Sequence, residues 1–120
     1  MLNRKAKTKP SREELMGAVV VRNPLVKESG RREESLRLTA PLQTSGLRKL
    51  IAPRSTRSKS FELDAVGIWV WDRIADQMTV AALIRDFAAQ HGVEVKEAEN
   101  VLAIFLRTLL QRNLITLIRV

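Results

Sequence analysis

Apolar residues in the last third of the chain recur with the period of an α-helix. Ala98, Val101, Leu102, Phe105, Leu106, Leu109 and Leu110 fall at i, i+3, i+4, i+7, i+8, i+11 and i+12, one stripe of a 3.6-residue repeat. Glu94, Glu97 and Glu99 crowd the start of this segment and Arg107 and Arg112 its end, the polarity that the helix macrodipole favours. Asn113 is a natural stop. A second helix is predicted from Thr79, a good N-cap, with Leu83, Ile84, Phe87 and Ala88 on one side and a left-handed end at His91-Gly92. Residues 64–76 predict a third, carrying Val66, Val70 and Ile74, with Trp69 and Trp71 on different faces. Helix, glycine turn and helix in this order make a helix-turn-helix arrangement.

The first half of the chain alternates instead. Leu36, Leu38 and Ala40 interleave with Arg37 and Thr39, the period of a half-buried strand. Strands are predicted at residues 25–28 and 35–40 around the polar turn Ser29-Gly30-Arg31-Arg32, and a third at 57–63. Residues 18–21 are a short β-prone run, and 114–120 are apolar and β-branched enough for a short final strand. Residues 41–53 are open between a loop, which Gly46 and two prolines favour, and one helical turn carrying Leu47, Leu50 and Ile51. Ser11 with Glu14 three residues on reads as a capping box for a short helix through Met16, ended by Gly17. The fold class expected is α+β and winged helix-turn-helix-like, with three antiparallel strands followed by three helices. Residues 1–17 form a basic tail with room for that short helix, and 18–120 form the domain.

Composition narrows the chemistry. The chain has no cysteine, which excludes disulfides, thiolate zinc sites, iron–sulfur clusters and a cysteine nucleophile. No apolar run approaches the roughly 18 residues of a membrane span, and the basic N-terminus has no apolar segment behind it, so no secretory signal is read and a cytoplasmic location is expected. Charge is split: residues 1–60 hold 15 Lys/Arg against 5 Asp/Glu, whereas residues 61–120 hold 6 against 8. The helical half is therefore slightly acidic, which counts against its last helix reading DNA through phosphate contacts. A nucleic-acid-binding winged helix that uses the basic N-terminal half remains the alternative. The run Arg54 to Ser60 could attract an acidic peptide, a nucleic acid or a membrane surface, or be a solvated loop.

Catalysis finds no support in the side chains. His91 is the only histidine and has no partner at metal-ligand or acid/base spacing. The Glu94, Glu97 and Glu99 cluster reads as dipole complementation, and no phosphate-cradling loop or nucleophile elbow occurs. No cofactor, metal or catalytic residue is expected. Trp71 reads as core; Trp69, outside the Val66–Val70–Ile74 line, reads as an interface residue or as a ring lying across the sheet. Alternation puts Phe61 and Leu63 on one face of the third strand, where they anchor it in the core or line a groove. Lys59, Ser60 and Glu62 are assigned to the other face.

The run Phe61-Glu62-Leu63-Asp64, then Val66-Gly67, Val70-Trp71 and Ile74, resembles the coenzyme PQQ synthesis protein D family. Thr79-Val80, the Gly92-Val93 turn, Glu97-Ala98-Glu99 and the closing Leu114-Ile115 follow in the same order. The chain departs from the family pattern at Gln77, where a glycine is common, at Glu94, a weaker N-cap than Asp, and in the basic stretch 54–60. The resemblance implies a non-catalytic module that binds the leader of a ribosomally made precursor peptide and presents it to a modifying enzyme of the radical SAM class. It implies that the leader adds as a strand to the edge of the third strand and packs beside the last helix. The residues so implicated are Lys59, Ser60, Phe61, Glu62 and Leu63 on the strand, and Leu102, Phe105, Leu106 and Leu109 on the helix. An exposed strand edge also invites a homodimer. An assembly domain using the same groove on a protein partner is a further reading.

Overall fold

The computed structural model describes residues 11–40 and 59–119. The expectations for 1–10 and 41–58, including the start of the third strand, lie outside the described residues. The chain is α+β, with antiparallel strands and helices: α1 (Arg12–Met16), β1 (Val19–Arg22), β2 (Lys27–Ser29), β3 (Leu36–Ala40), β4 (Lys59–Leu63), α2 (Ala65–Ile74), α3 (Val80–His91), α4 (Val95–Gln111) and β5 (Ile115–Ile118).

The strands form two sheets rather than one block of three. β2, β3 and β4 are antiparallel neighbours in that order, with Leu38 opposite both Glu28 and Phe61. β1 pairs instead with β5, Val20 opposite Leu117, so four strands precede the three long helices and one follows. Backbone bonds from Val20 N–H to the Met78 carbonyl and from Val80 N–H to the Ala18 carbonyl, both 2.9 Å, tie β1 to the start of α3. The strand expected at 25–28 begins two residues later because Asn23 captures the chain. Its side-chain oxygen accepts from the Leu25 N–H at 3.0 Å, an Asx turn that leaves Leu25 63% exposed.

The helix ends follow their capping chemistry. The Ser11–Glu14 capping box is present in both directions, Thr79 accepts from the Ala82 N–H at 3.1 Å, and Gly92 closes α3 at φ 66°. Glu94 makes no side-chain cap bond at the start of α4. Gln77 adopts φ 56°, the left-handed region a glycine enters without cost, which is the physical reason for a glycine at that turn. α1 is held to α4 by Arg12, whose guanidinium donates to both oxygens of Glu99 at 2.8 Å.

The core gathers Val20 from β1, Leu36 and Leu38 from β3, Leu63 from β4, Trp71 and Ile74 from α2, Leu83 from α3, and Leu102 and Leu109 from α4. In α2 the buried face is Gly67, Ile68, Val70, Trp71 and Ile74, and Val66 is 43% exposed. Of the line Val66–Val70–Ile74, Val70 and Ile74 are buried, and only Val66, in the first turn, is exposed. On α4, Val101 and Leu110 sit at the exposed margins of the stripe. In β4, position alone gives Lys59 the parity of Phe61 and Leu63, which corrects its grouping with Ser60 and Glu62. No helix among the described residues is long and apolar enough to cross a membrane.

A polar latch joins β2 to α2. The buried Trp71 donates its indole N–H to the Glu28 carboxylate at 2.8 Å, and the Arg22 guanidinium lies 4.2 Å from the Trp71 ring centroid. Arg31 bridges Glu28 at 3.1 Å and Asp72 at 3.0 Å. The Trp71 hydrogen bond first, and then Arg31 and Arg22, hold the Glu28 carboxyl below its usual range, while partial burial pushes the other way. A depressed folded-state pKa contributes stability above the unfolded value, about 4.3, and that stability is lost as pH falls through the folded value. Glu28→Gln is therefore expected to lower the urea midpoint at pH 7 and to lie closer to the wild type at pH 3. An equal gap at both pH values would exclude an ionised Glu28 as the source.

Candidate functional site

A groove of about 320 Å³ opens between β4 and α4. It is lined by Phe61, Glu62, Leu63 and Asp64 of β4 and the turn after it, by Val66, Gly67 and Val70 of α2, by Phe87 of α3, and by Val101, Leu102 and Phe105 of α4. Most of these side chains are apolar, and they arrive from four elements.

Local chemistry brings the walls together. Asp64 caps α2 by accepting from the Gly67 N–H at 2.8 Å, so the chain turns from strand to helix within one residue. A Cβ on Gly67 would meet Leu63 Cδ2 at 3.2 Å and Asp64 Oδ1 at 3.3 Å, so the absence of a side chain there lets α2 close against β4. The Leu63-Asp64…Gly67 spacing is therefore a packing device: a capped turn whose first helical turn lies against the strand it follows.

Among the described residues β4 pairs on one side only, with β3. Alternate N–H and C=O groups along its other side are then available to an added strand. Of the residues implicated from the sequence, Phe61, Glu62, Leu63, Leu102 and Phe105 line the groove. Ser60 is exposed on β4, and Lys59 begins the strand opposite Ala40. Leu106 and Leu109 do not line it; they are 6% and 0% exposed and belong to the core beneath. Asp64, Val66, Gly67, Val70, Phe87 and Val101 are lining residues that the sequence reading left out.

Two aromatic contacts complete the surroundings. The Arg112 guanidinium lies 4.6 Å from the Phe61 ring centroid. Phe87, a lining residue, stacks on His91 at 4.2 Å and meets Trp69 edge-on at 5.8 Å. Trp69 is half-buried against α3 rather than laid across the sheet. His91 Nδ1 lies 3.1 Å from the Phe87 carbonyl, which can only accept, so this nitrogen carries the proton. Among the described residues no three acidic or histidine side chains cluster as metal ligands. The arrangement offers backbone pairing and apolar burial to a partner.

The family model for coenzyme PQQ synthesis protein D matches residues 50–115, just over half of the chain and the whole of the groove. No curated protein and no solved structure matches the chain significantly.

Proposed function

The chain belongs to the coenzyme PQQ synthesis protein D family, and from that premise we propose that it is a non-catalytic peptide-binding module. It takes up the leader segment of a ribosomally made precursor and presents it to a modifying enzyme of the radical SAM class. The observation that carries this reading is the apolar groove running beside a strand edge that is unpaired among the described residues. A leader bound there gains register from main-chain pairing with β4 and selectivity from side chains two apart entering the groove. In this reading α2, α3 and α4 with the β2–β3–β4 sheet act as a winged helix-turn-helix put to peptide use. The same edge would admit a second copy when no leader is bound.

The test is a titration of the chain with candidate precursor peptides and with duplex DNA, each at two salt concentrations. Peptide binding is expected to change modestly with salt, because residues 61–120 carry 6 basic against 8 acidic groups. Duplex DNA held by the basic half would lose affinity steeply as salt rises. Tight, salt-sensitive DNA binding with no peptide binding would overturn the proposal. Sedimentation of the peptide-free chain at micromolar concentration reports on self-pairing, and a pure monomer would remove it.

A further inference from the structure

We propose that Arg112 makes the groove selective for extended peptides that carry a carboxylate at its Phe61 end. This rests on the peptide-binding reading and assigns a preference within it. Two charged residues line the groove, Glu62 and Asp64, and a third, Arg112, lies against the ring of the lining residue Phe61. Two are already engaged. Glu62 pairs across the sheet with Arg37 at 3.0 Å, and Asp64 accepts from the Gly67 N–H at 2.8 Å. Arg112 makes no side-chain hydrogen bond or ion pair among the described residues; its contact there is with the ring of Phe61.

A ring contact positions a guanidinium without consuming its five N–H donors, which match the two oxygens of a carboxylate. Arg112 is also held from behind, because its backbone is the C-cap of α4, where its N–H bonds to the helix's last carbonyls. The guanidinium is thus set against the ring of a groove-lining residue, at the exposed end of α4, with its donors unused among the described residues. A charge-assisted pair formed beside apolar walls is stronger than one in open water.

The geometry also gives a direction. A strand that continues the antiparallel order of the sheet runs from the Asp64 end of β4 to the Phe61 end. Its apolar side chains at the Asp64 end would come near Val66, two residues after Asp64, and its carboxylate at the Phe61 end would follow. Residues on one face of a strand are two apart, so the acid falls an even number of positions after the last apolar anchor.

A displayed library of random dodecapeptides, selected in parallel on the full chain and on Arg112→Gln, tests this. Wild-type selection is expected to enrich an apolar–x–apolar pattern followed by Asp or Glu, and Arg112→Gln selection to keep the apolar pattern and lose the acid. The best wild-type peptide should bind Arg112→Gln about tenfold more weakly, and Arg112→Lys, which keeps charge but loses the fork, at an intermediate level. Changing the peptide's acid to its amide should erase the difference between wild type and Arg112→Gln, as a coupled pair requires. Thermal melts establish that each variant is folded. Wild-type peptides without an acid, or equal binding to wild type and Arg112→Gln, would overturn the inference. A library that yields no wild-type binder overturns the peptide-binding reading beneath it.

Discussion

Leu102→Ala is expected to lower the unfolding free energy by about 2–5 kcal/mol, the range for a large buried aliphatic side chain cut to Cβ. Leu102 is 1% exposed at the middle of α4, and its side chain serves both the core and the wall of the groove. The cost combines lost transfer free energy with a cavity that the surrounding β-strand and helices can only partly close. Phe105→Ala is the informative contrast. From the sequence the two positions look equivalent, three apart on one stripe, and both would be expected to destabilise alike. In the fold Phe105 is only half-buried and packs at the edge of the core. Truncating it removes surface that water already reaches, so its stability cost should be smaller and its effect on peptide binding larger. Urea unfolding of the two variants measures this. A Leu102→Ala protein within about 0.5 kcal/mol of the wild type, the scatter of surface changes, would mean that α4 is not packed as described.

The contrast between these two residues marks how far the sequence reaches. Caps were legible because their chemistry is local. Thr79, Gly92 and the Ser11–Glu14 box depend only on neighbours within four residues, and each does what its residue type allows. The β3 strand was legible for the same reason: Leu36, Leu38 and Ala40 alternate without interruption and all three are buried. Periodicity fixes the direction of a helical stripe but not its width, nor what lies over each part of it. Leu106 and Leu109 share the stripe with Phe105, yet they point into the interior while Val101 faces the groove. Valine at position 66 has the spacing of a core residue, whereas the close approach is made by Gly67, which has no side chain to count. Phe87 reaches the groove from α3, and nothing in its own segment says that α3 comes to lie there. The pairing of β1 with β5 joins residues about a hundred positions apart, and pairing over that separation leaves no local trace. The Arg22–Glu28–Trp71 latch is illegible for the same reason: β1, β2 and α2 meet only in the folded chain.

The exposed margin of the α4 stripe supplies the sharpest test of the groove. Val101→Asp is expected to weaken binding of a leader peptide at least tenfold, about 1.4 kcal/mol, while leaving stability nearly unchanged. Val101 is 41% exposed and lines the groove, so an aspartate there keeps its carboxylate in reach of water when the groove is empty. Valine and aspartate have similar helix propensities, so α4 itself loses little. On peptide binding the same carboxylate would have to be stripped of water against an apolar side chain, and the two charged lining residues, Glu62 and Asp64, carry its own sign. Leu106→Asp would fail as a test, because Leu106 is 6% exposed and a charge there is buried in the folded state. Ser60→Pro on β4 addresses the other half of the site by removing a backbone donor from the strand. Calorimetric titration of a leader peptide into each folded variant, with thermal melts alongside, separates binding from stability. Full-affinity binding by Val101→Asp would place the peptide elsewhere on the surface, and a large fall in its melting temperature would mean that Val101 belongs to the core after all.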